Sequence, residues 1–182
     1  MDRPLLTRAL VVASGAILVG VLLVTVIPGI GPTGEYDRET IEITDNKTGE
    51  QLERVSVRIA DTPQKRYTGL SETQSLAADE GMLFIHDSED RYAYVMRNMS
   101  FPIDIIFIDM TGTITRIHHA EVPRNTPTDS LQQYPGRGKY VLEVSYNYTE
   151  KHNITVGDDV QITQFASASS QDITRDSSRE DS

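Results

Sequence analysis

The chain contains no cysteine and no tryptophan. Without cysteine, disulfides, thiol chemistry and cysteine-type zinc fingers are excluded outright. Lysine is scarce too, at 4 against 13 arginines, and the net charge over 182 residues is −10. The basic residues nowhere cluster, and binding a phosphate backbone requires that they do, so a nucleic-acid partner is excluded. No glycine-rich phosphate loop occurs, and no motif calls for a cofactor. An acidic, lysine-poor surface suits a protein working in very high salt, where its self-repulsion is screened. That composition points to a halophilic source.

What the sequence does have begins with an apolar run. Residues 9–27, ALVVASGAILVGVLLVTVI, carry no charge and end at Pro28. At about 1.5 Å per residue, such a helix crosses a hydrocarbon core of roughly 30 Å. Arg3 and Arg8 precede it, and Glu35, Asp37 and Glu39 follow. The asymmetry predicts a cytoplasmic amino terminus (1–8), a transmembrane anchor (9–30) and an exported remainder. A cleaved signal peptide is the rival reading, although the run is long for one and TVIPGIGPTG offers no Ala-x-Ala-type cut site. Four of the five asparagines stand in glycosylation sequons, at Asn46, Asn98, Asn147 and Asn153, which agrees with exposure outside the cell.

Residues 31–37 read as a Gly/Pro linker, 38–165 as one folded domain, and 166–182 as an acidic, Ser-rich tail with too little apolar surface to fold. Within the domain, Val55, Val57 and Ile59 alternate with polar residues and predict a strand. TPQKRYTGL predicts a short helix with Thr62 as its cap, Pro63 in its first turn and Gly69 at its end. GMLFIH, RYAYVMRN, 103–109, 113–122, KYVLEV and DDVQITQF read as further strands, and NYTEKHN as a helical turn. The expected fold is therefore mainly β (α+β), a compact sandwich or barrel-like domain with short helices.

One stretch bears on function. Asp104 interrupts the apolar run Ile103–Ile108, and a carboxylate in such a strand must be paired or hydrogen-bonded. Asp109 and Gly112 suit a type I turn followed by a glycine bulge. Counting back from that turn sets Ile108 against Ile114, Ile106 against Arg116 and Asp104 against His118, all on one face. A two-residue loop would instead give His119 as the partner. The carboxylate is then either a structural counter-ion to Arg97, Arg116 or Arg66, or part of a polar pocket in an apolar wall.

ADTPQKRYTGL, EGMLFIH, YVMRNMSFPIDIIFID and YVLEV, in this order and spacing, resemble the domain of unknown function 192 family over residues 53–163. The doubled histidine of HHA resembles its halophilic archaeal branch. The resemblance implies a compact β-rich fold on an exported or membrane-anchored domain, and it implies no reaction. The chain matches the family pattern at Arg66, Gly69, Leu70, Met96, Arg97, Asn98, Pro102, Asp104 and Asp109, among others. It departs at Ser71, Val95 and Met99, where Met, Trp and Thr are usual. If those positions belong to a ligand surface, that surface is altered here. Because Asn98 lies in the core motif, glycans are expected at Asn46, Asn147 or Asn153 instead.

Catalytic signals are thin. Asp104 and Asp109 face opposite sides of one strand and cannot form a glycosidase pair. His118 and His119 are adjacent, so their rings diverge and no metal site is expected. Ser71 lacks the setting of a hydrolase nucleophile, and Phe101–Pro102 is a candidate cis bond with only a folding role. The favoured function is a membrane-anchored extracellular binding module for an envelope glycan or protein, with Arg66, Arg97, Asn98, Asp104 and Arg116 as binding residues. An envelope hydrolase using Asp104, His118 and Arg97, and a structural or chaperone-like subunit, are the alternatives.

Overall fold

The computed structural model describes residues 36–124 and 126–162. The expected anchor at 9–30 and tail at 166–182 lie outside them. Among the described residues, no helix is long and apolar enough to cross a membrane.

Seven strands make one sheet: β1 (Arg38–Thr44), β2 (Gln51–Ala60), β3 (Glu80–Val95), β4 (Ile103–Ile108), β5 (Ile114–Ala120), β6 (Gln133–Ser145) and β7 (Asp159–Gln161). Their order is β5-β4-β6-β3-β2-β1-β7. The described residues are thus mainly β, as expected, with two short α-helices, α1 (Pro63–Thr68) and α2 (Tyr148–Lys151), and one 3-10 turn (Thr128–Ser130). It is one curled sheet and not a two-sheet sandwich. Its edges meet at a bridge between Thr113 and Asp159, where Val160 N–H donates to Gly112 O at 2.8 Å and Ile114 N–H to Asp158 O at 2.9 Å. Gly112 makes the closure possible. Its φ is +96°, and a Cβ there would stand 2.7 Å from Val160 O.

Every neighbouring pair is antiparallel except β2 and β3. Parallel partners need a crossover, and α1 supplies it. Thr62 caps α1 by accepting from Lys65 N–H, Pro63 opens it, and Gly69 closes it at φ 51°. Two of the expected elements differ. GMLFIH and RYAYVMRN belong to one 16-residue strand, interrupted between Ile85 and Asp90. β1 was not expected, although its Ile41 and Ile43 are fully buried. No peptide bond among the described residues is cis, so Phe101–Pro102 is trans.

The curled sheet buries both faces. Ile41, Val57, Leu83, Ile106, Ile108, Ile114, Leu142 and Val144 fill the inner cluster, over which Tyr148 of α2 packs. Leu70, Met82, Phe84, Ile103, Ile105, Phe107 and Val141 form the outer one. All six residues of β4 are buried, which explains an uninterrupted apolar run where a half-exposed strand would alternate. Each such Ile, Leu or Phe contributes about 2 kcal/mol on burial.

Candidate functional site

Asp104 is fully buried. Its Oδ1 accepts from His119 Nδ1 at 2.7 Å and Asn147 N–H at 3.0 Å; its Oδ2 accepts from Thr149 N–H at 2.9 Å and Thr149 Oγ1 at 2.7 Å. The hairpin turn forms as the sequence suggests, with Asp109 N–H bonded to Thr113 O and Ile108 opposite Ile114. The expected Asp104–His118 pairing does not form. A second bulge, at Thr115, moves the register so that Phe107 faces Arg116 and Asp104 faces His119. Thr115 is held there by its hydroxyl, which donates to Phe107 O and Arg137 O.

The bulge sends Arg116 and His118 to the outer face. His118 Nε2 meets Pro135 O at 2.8 Å, and its ring lies against Phe107 and Tyr134. Arg116 is exposed, and Asn98 is an exposed turn residue at φ 55°. Among the described residues, no arginine pairs with Asp104, whose ionic partner is His119. The carboxylate instead ties β4 to β5 and to the first turn of α2. Asp104, His118 and Arg97 therefore do not converge.

Arg66 and Arg97 do come together, on the walls of a cleft of about 440 Å³ between α1 and the second half of β3. Arg66 Nη1 donates to Asp61 O at 2.8 Å and Ile85 O at 2.7 Å, clipping the helix to the strand. The Arg97 guanidinium stacks 3.8 Å from the Tyr67 ring centroid and donates to Tyr67 O. Leu70, Phe84, Met96 and Ile103 give the cleft an apolar lining. His86 and Tyr94 line it as well, joined at 3.0 Å, with Tyr92 stacked on His86 at 3.6 Å between ring centroids.

The residue that sequence reasoning missed is Glu143. It lies on β6 opposite Met82 and Ile105, is only 7 % exposed and lines the cleft. Its carboxyl makes no hydrogen bond to any described residue, and burial pushes its pKa up to about 8. Desolvation, followed by the nearby Arg66 charge, holds His86 down at about 4. Tyr94 is shifted far upward, first by burial and then by Glu143. At neutral pH the cleft thus offers a protonated carboxylic acid, a neutral imidazole and two guanidinium ions. It can donate hydrogen bonds at its floor and attract negative charge at its walls. A signal was present in KYVLEV, where a glutamate shares the outer face with Val141 inside an apolar strand.

A curled β sheet bridged at its edges, with one crossover helix overhanging a cleft, defines a small mainly β domain built around a ligand-sized recess. The chain belongs to the DUF192 family, described as Uncharacterized ACR, whose model matches residues 43–162. It is similar in structure to a candidate transcription regulator from Sinorhizobium meliloti 1021, at 26 % identity and a TM-score of 0.63, over 70 % of this chain and 95 % of that one. A protein of unknown function from Novosphingobium aromaticivorans DSM 12444 shares the fold at 24 % identity and a TM-score of 0.61, over 75 % and 93 %. No curated protein matches the chain. Ser71, Val95 and Met99, the three departures from the family pattern noted above, all line the cleft, as do the matching Arg66, Leu70, Met96 and Arg97.

Proposed function

We propose that this domain is a binding module, carried outside the cell on its N-terminal apolar segment in a high-salt setting, that takes an envelope glycan or protein into the cleft between α1 and β3. One observation carries the reading: Glu143, only 7 % exposed and with no hydrogen bond to a described residue, lines a recess of about 440 Å³. Holding a carboxyl largely out of water carries a desolvation cost, and a fold tolerates such a cost where function uses the group. Apolar walls with a few fixed polar groups are the make-up of a ligand pocket. The hydrolase reading needs Asp104, His118 and Arg97 in one place, and their separation removes its geometric support.

The test is Glu143→Leu in the full chain, titrated in high salt with solubilised envelope glycans and envelope proteins. The expected result is a ligand held by the wild type, weakened about tenfold or more in the variant, with a melting midpoint equal to or above the wild type's. A ligand held equally by both chains would overturn the reading.

A further inference from the structure

The cleft's far wall is the main chain of β3. From Gly81 to Phe84, β3 is paired on both sides, with β2 and with β6. β2 ends at Ala60, so from Asp90 to Val95 the strand is paired, among the described residues, with β6 alone, and its other edge is open to them. Which main-chain groups point outward follows from β6. Pro135 faces Ala93 and has no N–H, and its carbonyl is bonded to His118. Arg137 faces Arg91, and its carbonyl is bonded to the Thr115 hydroxyl. Both are therefore non-hydrogen-bonded pairs of the antiparallel ladder. By the period of two, the N–H and C=O groups of Arg91, Ala93 and Val95 point away from β6, onto the open edge. Arg91 agrees independently, because its N–H bonds the Asp90 side chain at 2.7 Å and not β6.

We propose that the cleft receives an extended segment of a partner protein, which adds as a strand to the open edge of β3 at Ala93 and Val95 and brings a carboxylate to Arg66 or Arg97. The inference rests on the reading of the cleft as a ligand site and names the occupant. Three features select a peptide. Ala93 and Val95 line the recess and offer alternating donors and acceptors at strand spacing. Val95 and Tyr67, both exposed on the cleft wall, offer apolar surface for the inward side chains, over a floor of Phe84, Leu70 and Met96. The charge is complementary: the lining carries two guanidinium ions, of which Arg66 has the exposed Asp87 carboxylate 4.0 Å away, and its carboxyl, Glu143, has its pKa raised by burial. The sheet's outer edges already meet at Thr113–Asp159, so the open edge of β3 is a site for pairing beside a ready-made recess.

The experiment selects ligands for the full chain from a displayed library of random short peptides. Each selected peptide is then synthesised with an N-methyl group at every position in turn. Strand addition predicts enriched peptides with an acidic residue beside an apolar one. It also predicts losses of about tenfold at alternate positions and little change between them. Ala93→Pro, which removes an N–H the fold itself does not use, abolishes binding while leaving the melting midpoint in place. A flat N-methyl profile, no enriched peptide, or full affinity for Ala93→Pro overturns the inference. Glu143→Leu separates the two readings. Peptides lost on that variant but indifferent to N-methylation sink strand addition and leave the cleft standing, whereas peptides that bind the variant unchanged sink both.

Discussion

Asp104 and His119 face each other across the β4–β5 pair, with Oδ1 and Nδ1 2.7 Å apart. Three further bonds, from Asn147 and Thr149, occupy the rest of the carboxylate. In Asp104→Asn, one acceptor oxygen becomes an NH₂ group facing buried donors, and the protein is expected to lose about 3 kcal/mol. His119→Ala removes one of the four bonds and should cost about 1 kcal/mol. Denaturant unfolding of both variants checks the ratio. Equal midpoints for wild type and Asp104→Asn would contradict the structural role.

How far the sequence reaches is clear from this hairpin. The turn was legible because Asp109 and Gly112 are chosen by local backbone geometry. The Thr115 bulge was not, because its hydroxyl answers to Arg137 on β6, which is 22 residues away in the chain. One residue of slip sends each β5 side chain to the other face, so Asp104 was rightly singled out and given the wrong histidine. α1 was legible for the same local reasons as the turn. KYVLEV marked Glu143 as a glutamate in an apolar strand, but its role was hidden because its environment is tertiary: nothing in that stretch says that α1 and the second half of β3 leave a recess above it.

Gly136 controls the ribbon formed by the second half of β3 and the first half of β6. A Cβ there would stand 2.3 Å from the ring of Phe107, which is fully buried and cannot yield. Gly136→Ala should therefore destabilise by about 3 kcal/mol through overpacking. Gly49→Ala is the control, since its φ is +70° and nothing lies within 4 Å of the added methyl group. That change costs about 1 kcal/mol, by backbone strain alone. Chemical denaturation of the two variants side by side tests the difference.

Val95 is 42 % exposed on the cleft wall. Val95→Trp, toward the usual family residue, should leave stability within about 0.5 kcal/mol of wild type. It should nevertheless change what the cleft accepts, because an indole would stand over the recess. The measurement is a melting midpoint together with affinity for a peptide selected on the wild type. Unchanged affinity would place the ligand elsewhere.

Glu143 and His86 give the stability curve a shape that neither gives alone. Burial raises Glu143 from 4.5 to about 8, so between those values the folded chain holds a proton that the unfolded chain has lost. Stability then falls as pH rises, by roughly 1 kcal/mol per pH unit across that window. His86 is shifted the other way, from 6.5 to about 4. Between those values the unfolded chain binds the extra proton, and stability falls as pH drops. Its total contribution is the smaller of the two, because water partly screens the half-buried ring and narrows the pH range over which the slope acts. In the wild type the two opposing slopes partly offset between about 4.5 and 6.5, and the full decline sets in between about 6.5 and 8. Glu143→Gln should remove that alkaline decline and expose the His86 limb, so that stability rises from about 4 to 6.5 and then levels. His86→Gln should do the reverse. Unfolding free energies of the three chains from pH 4 to 8.5 in constant salt decide it, and an unchanged alkaline slope in Glu143→Gln would mean that Glu143 is ionised in the folded protein.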